Sequence, residues 1–226
     1  MATDKKGLGE SELQDERNYK LPPIELLSKG TGKSEVDIQS DVKANAKKLE
    51  QAEADITAFA LTDVDGSVMT MPFDFLRLCA IHKHIFGDIY EWAGAIRNIQ
   101  MVKGERVLGG DTVRYAEPDA IQRDAESVIS EMNNADWSAL DIHETAKCFA
   151  ELTATLWQIH PFREGNTRTT ITFATQFAQE HGFRMDKSLL KDSAEYVRDA
   201  LVKASDGQYS EYEFLIKIFE DAIIRG

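Results

Sequence analysis

From Asp41 onward, apolar residues return every three or four positions, the spacing that lays them along one face of an α-helix. Val42, Ala46, Leu49, Ile56 and Ala60 predict a helix over about 41–60, and DVDGS at 63–67 reads as a turn. A second helix is expected over about 73–93, with Leu78, His82, Ile85, Ile89 and Trp92 on one stripe and Gly94 at its end. The pattern then changes. IRNIQMVKGERVLGGDTVRY is rich in β-branched residues and broken by Gly104 and the Gly109–Gly110 pair, which predicts a β-hairpin or flap over about 98–115. Helices follow over about 118–133, 141–158, 166–181, 188–204 and 210–224. Pro118 suits a first helical turn, Gly182 a left-handed cap, and Ser210 with Glu213 a capping box. The expected fold is mostly α, a helical bundle with a small β-hairpin flap. Residues 1–35 are polar and glycine-dotted and read as a mobile N-terminal tail, which leaves 36–226 as the domain.

Charge narrows the range of partners. The 226 residues carry a formal net charge of -13, which argues against a binder of nucleic-acid backbones. The first residues are charged and lack the apolar run of a signal peptide, and no stretch has the length of a membrane span, so the expected location is cytoplasmic. The two cysteines, Cys79 and Cys148, lack metal-ligand spacing and read as reduced core residues. His82 and His84 lie two apart on a helix and face different sides, so they do not make a zinc pair; His82 is expected in the core.

One stretch is too rich in chemistry for a connecting turn: HPFREGNTR, His160 to Arg168. Pro161 stops the preceding helix, and Phe162 is placed to plug the core. Gly165, Asn166 and Thr167 open a new helix, whose free N–H groups and dipole make a nest for an anion. Arg168 adds a planar cation suited to phosphate oxygens. Glu164 is a hard oxygen ligand of the kind Mg²⁺ accepts beside phosphates. His160 is the one side chain here able to take a proton near neutral pH. Base, metal carboxylate, anion nest and arginine together suit phosphoryl or nucleotidyl transfer.

The same residues resemble the signature of the Fic (Fic/Doc) family, His-Pro-Phe-x-(Asp/Glu)-Gly-Asn-Gly-Arg, often followed by x-x-Arg. IHKHIFGDIYEWAGAIRN at 81–98 is similar to the family's first core helix and the turn into its flap, and the resemblance covers about residues 41–226. It implies a protein adenylyltransferase, using ATP and Mg²⁺ to place AMP on a Ser, Thr or Tyr hydroxyl of a target protein held along the flap. By position, His160 would deprotonate the hydroxyl and Glu164 would hold Mg²⁺. Gly165, Asn166 and Thr167 would line the anion hole, Arg168 would grip the distal phosphates, and Lys103 on the flap would either reach phosphate or, the favoured reading, stay solvated. Two positions depart from the pattern. Thr167 stands where the family has glycine, and Ile171 where many members have a second arginine. The branch of the family with lysine at the first of these positions acts as a kinase, so a Doc-like kinase and a nucleotide-binding module without turnover stay open beside AMP transfer. The Ser/Thr-x-x-x-Glu-Gly/Asn segment that restrains many members is missing from the sequence, which points to a separate small antitoxin, as in toxin–antitoxin pairs, or to an intrinsically slow enzyme.

Overall fold

Residues 70–225 are described continuously in the computed structural model, with isolated positions between 34 and 61. The chain divides into two units, Met1–Ala58 and Phe59–Gly226, and every element considered below belongs to the second. The tail and most of the helix expected over 41–60 lie outside the described residues.

Seven helices follow in order: α1 (Phe75–Phe86), α2 (Ile121–Asn134), α3 (Ile142–Ile159), α4 (Asn166–Glu180), α5 (Lys187–Asp192), α6 (Ala194–Ala204) and α7 (Glu213–Ala222), counted among the described residues. α3 is the spine. Its N-terminus is closed by a capping box in which Asp141 accepts from the Glu144 N–H at 2.8 Å and Glu144 accepts from the Asp141 N–H at 3.0 Å. Apolar on several faces, it packs against α2, α4, α6 and α7. Phe149 on α3 meets Phe177, Phe183, Phe219 and Trp137 at centroid distances of 5.1–6.2 Å, and this aromatic cluster is the core of the bundle. α1 lies on the other side of α4, capped by Asp74, which accepts from the Arg77 N–H at 2.9 Å.

The mostly α fold is as expected, but four local expectations need correction. The second predicted helix ends at Phe86, not near Gly94. Residues 87–94 form turns in which Tyr90 and Trp92 stack at 4.3 Å and 12°. Two rings two residues apart point in different directions on a helix, so that stack requires the helix to stop. The flap keeps a single antiparallel bridge, Gly104 with Thr112, around a 3₁₀ turn over Arg106–Leu108. Its ladder is cut short because the chain turns straight after Glu105, whose carbonyl accepts from the Leu108 and Gly110 N–H groups at 3.0 Å. The helix expected over 188–204 breaks at Ser193 into α5 and α6, with Asp186 capping α5 through the Ser188 and Leu189 N–H groups. The last helix begins at Glu213 without the Ser210 box, and its end leaves the helix as strand β2 (Ile223–Arg225), antiparallel to β1 (Phe183–Met185). That long-range pairing has no local signal in an apolar helical pattern.

Candidate active site

The site starts from a backbone irregularity. α3 ends at Ile159, and His160 follows with φ 54° and ψ 60°, the one described non-glycine residue with positive φ. A left-handed conformation costs a residue with a Cβ about 1–2 kcal/mol, so the surroundings must hold it. Pro161 forbids further helix, and the His160 N–H donates back to the Trp157 carbonyl at 3.0 Å. Arg97 does the rest. It is 1% exposed, and it donates to the carbonyls of His160 (2.7 Å), Ile159 (3.3 Å), Ile99 (2.7 Å) and Ala116 (2.5 Å), while its own N–H donates to the Pro161 carbonyl (2.9 Å). A cation at a helix C-terminus answers the dipole and satisfies the last carbonyls. One buried arginine therefore joins the end of α3 to both legs of the flap.

The imidazole of His160 is 4% exposed. Tyr115 packs on its face at 4.1 Å and 32°, and Trp157 meets it edge-on at 5.3 Å and 90°. Burial pushes its pKa well below the usual histidine value; the cations Lys103, Arg97 and Arg198 act in the same direction, and the Trp157 carbonyl opposes them. The ring is therefore neutral at pH 7, the form that accepts a proton.

Past His160 the chain folds into a tight loop. Asn166 closes it from both sides, accepting from the Phe162 N–H at 2.9 Å and donating to the Phe162 carbonyl at 2.7 Å. Phe162 is buried as expected, stacked on His82 at 3.9 Å and 19°. His82 is in the core as expected, and it is also a strut. Its Nδ1 accepts from the Gly94 N–H at 2.8 Å, which puts the proton on Nε2, 3.1 Å from the Glu164 carbonyl. Gly165 has φ +76°, and a Cβ there would lie 2.2 Å from the Phe86 ring. Only glycine fits. α4 begins immediately after it, so the N–H groups of its first turn point away from the helix without intrahelical acceptors.

The predicted site residues do come together around this turn, with changed duties for three. The Asn166 side chain is committed to the loop, leaving its backbone to the nest. Thr167 does not point into the nest: its Oγ1 accepts from the Trp157 indole N–H at 2.9 Å. Lys103 is no solvated flap lysine; its Nζ sits 3.3 Å from Glu164 Oε2. Glu164 also accepts from the Gly165 N–H at 3.1 Å and remains part-exposed. Arg168 lies with its guanidinium 4.7 Å from the Phe86 ring centroid. Ile171, where an arginine was the alternative, is half-buried and packs against the core. Sequence reasoning missed Arg97, Tyr115 and Glu105. Of these, only Arg97 carried a signal, a lone cation between Ile96 and Ile99 just after the Gly94 turn.

Among the described residues no group of three or more His, Cys, Asp or Glu side chains is placed to hold a metal. A cation here would take one protein carboxylate, Glu164, with the remaining oxygens from phosphate and water. That donor set suits Mg²⁺.

Comparison with known proteins agrees with this geometry. Residues 72–178 match the model of the Fic/DOC family. The chain is 34% identical over 138 residues to the probable protein adenylyltransferase y4lH of Sinorhizobium fredii, covering 59% of this chain and 66% of the relative. It is 33% identical over 147 residues to the protein adenylyltransferase VbhT of Bartonella schoenbuchensis, covering 64% of this chain and 28% of the relative. Thus it spans just under two thirds of the first relative and under a third of the second. The crystal structure of the N-terminal Fic domain of a VirB-translocated Bep effector protein from Bartonella quintana, with bound ADP, superposes with a TM-score of 0.65 at 27% identity, over 79% of this chain and 86% of that one.

Proposed function

Given that the chain belongs to the Fic/DOC family, we propose that it transfers AMP from ATP to a Ser, Thr or Tyr hydroxyl of a target protein. The observation that supports this most is the join between α3 and α4. A neutral, buried base, His160, stands one tight loop before a glycine-led helix start whose one oversized side chain, Thr167, is turned aside to Trp157. With Thr167 turned aside, the backbone N–H groups of the nest stay open to phosphate, which supports AMP transfer.

In the reaction His160 takes the proton of the target hydroxyl, whose oxygen attacks the α-phosphorus. The bond from the α-phosphorus to the bridging oxygen breaks, and pyrophosphate leaves with the electron pair. The N–H groups at the start of α4 and the Arg168 guanidinium bind the phosphates, and Glu164 would hold Mg²⁺, which when bound neutralises the polyphosphate charge. Lys103 already pairs with Glu164 and is placed to exchange that carboxylate for phosphate oxygen. Exposed Ile99 and Val102 on the flap, beside unladdered backbone, suit a target segment that adds as a strand.

The donor ATP suits a cytoplasm, as do two free cysteines, the Cys79 thiol being pushed up to about 11 by burial and by Asp74. No helix among the described residues is long and apolar enough to cross a membrane. With no inhibitory segment in these 226 residues, we infer that a separate small antitoxin restrains the activity or that the enzyme is intrinsically slow.

Incubation with α-³²P-ATP, Mg²⁺ and bacterial lysate tests the proposal. Label is expected on protein, lowered about a hundredfold or more by His160→Ala and absent with γ-³²P-ATP. Label from the γ-phosphate alone would establish a kinase, and nucleotide binding with no transfer would establish a binding module.

A further inference from the structure

The imidazole of His160 is steered chiefly by packing. The Trp157 carbonyl acts on the ring, but Nδ1 is buried and makes no hydrogen bond of good geometry, whereas an active-site histidine is ordinarily oriented by the bond its other nitrogen makes. Two aromatic walls fix the ring instead, Tyr115 on its face and Trp157 on its edge. A buried phenol or indole settles where its O–H or N–H finds a partner, so each wall is only as fixed as its polar tip. The Trp157 tip is held by Thr167. The Tyr115 hydroxyl donates to Glu105 Oε1 at 3.3 Å.

Glu105 is unusual in its own right. It is 2% exposed, and a carboxylate at that depth needs compensation. Arg198 on α6 supplies it, its Nη2 donating to Oε1 at 3.1 Å and to Oε2 at 2.8 Å. The backbone of Glu105 is equally fixed: its N–H donates to the Asp111 carbonyl at 2.8 Å, and its carbonyl accepts from the Leu108 and Gly110 N–H groups at 3.0 Å. A purely structural tie between flap and α6 does not require this carboxylate, because Arg106 next to it already reaches Asp199 at 2.7 Å.

We propose that Glu105 is a positioning residue for His160: gripped by Arg198, it anchors Tyr115, and through Tyr115 it sets the orientation of the imidazole. Its bearing on turnover rests on the AMP-transfer reading above; the geometry does not.

The test compares Glu105→Ala, Glu105→Gln and Tyr115→Phe in the full chain. Glutamine keeps an acceptor for the Tyr115 hydroxyl, and alanine keeps none. The ring C–H signals of His160, assigned by their loss in His160→Ala, are recorded by NMR without nucleotide, and kcat and KM for ATP are measured separately. Alanine and Tyr115→Phe are expected to move or broaden those signals and to lower kcat about tenfold, with KM for ATP within about twofold. Glutamine restores the signals and most of kcat. Combining Glu105→Ala with Tyr115→Phe adds little further loss, because both cut one link. His160 signals unmoved in all three variants overturn the proposal, whatever happens to the melting temperature. A raised KM for ATP at unchanged kcat overturns it too, by making Glu105 a nucleotide-binding feature. A wild-type chain that transfers no AMP defeats the activity reading instead, and the ring signals then still decide the positioning role.

Discussion

The Trp157 indole N–H donates to Thr167 Oγ1 at 2.9 Å and ties the last turn of α3 to the first turn of α4. Thr167 thereby changes meaning. As a residue in a glycine position it reads as an obstacle to phosphate, and Thr167→Gly would be expected to raise AMP transfer. With the hydroxyl holding a buried indole, the opposite follows. Thr167→Gly leaves that N–H unsatisfied, at about 1–3 kcal/mol, and adds about 0.5–1 kcal/mol for glycine in a helix. Transfer is expected not to rise. Thr167→Ser should behave as wild type, while Thr167→Val keeps the bulk and loses the bond. Urea midpoints and AMP incorporation across the three variants check this; more incorporation by Thr167→Gly at unchanged stability would reinstate the obstacle.

Gly165 is the position where a single methyl does most harm. Its φ of +76° is strained for any residue with a Cβ, and that carbon would sit 2.2–2.3 Å from two atoms of the Phe86 ring. Phe86 is fully buried and has nowhere to go. Strain of about 1–2 kcal/mol combines with overpacking of about 1–3 kcal/mol, and the start of α4 must shift. Gly165→Ala is expected to lower the melting temperature and to abolish transfer. Adding Phe86→Leu should recover part of the stability by opening room; no recovery would show that the backbone angle alone is at fault.

Local rules made the helices legible, and the reactive turn with them. His160, Pro161, Gly165 and Arg168 declare their chemistry by type and order, and the structure sets them around one turn. What escaped reading is what depends on distant partners. Nothing near Thr167 in sequence shows that Trp157 lies behind it, and Glu105 looks like any flap acid until Arg198 and Tyr115 surround it. Strand β2 was hidden for the same reason, since its pairing with β1 spans about forty residues. The early end of α1 was a local miss, decided by the Tyr90–Trp92 stack, as were the break at Ser193 and the start of α7 without the Ser210 box.

Arg97 holds carbonyls from three places: the end of α3, the outgoing leg of the flap and its return at Ala116. Arg97→Met keeps much of the stem and removes every donor. Several buried carbonyls then go unpaired, at about 1–3 kcal/mol each before relaxation, and the left-handed His160 loses its tie. The expected loss is about 3 kcal/mol or more, with AMP transfer falling further than the folded fraction does. Arg97→Lys keeps the charge but not the planar fork, and should recover less than half of the loss. Calorimetric melting beside incorporation measured at matched folded protein separates the two effects.

His82 supplies a pH dependence of known sign. Its Nδ1 accepts from the Gly94 N–H, so a second ring proton would face a donor, and burial disfavours the cation further. The pKa is lowered to about 4, burial first; Arg168 adds to the shift, while the Glu164 carbonyl and carboxylate oppose it. Between about pH 6.5 and 4 the unfolded chain binds a proton that the folded chain refuses. Stability is therefore intact above pH 6.5 and falls as the pH drops toward 4, by on the order of 3 kcal/mol from this residue. Buried carboxylates and His160 contribute slopes of their own, so the readout is a difference. Urea midpoints of the wild type and His82→Gln at pH 7.5, 6 and 5 should converge as the pH falls, because glutamine lacks the proton to refuse. Parallel curves for the two proteins would mean that His82 is free to charge in the folded state, and that the strut from Gly94 to Glu164 does not hold the ring as the hydrogen bonds indicate.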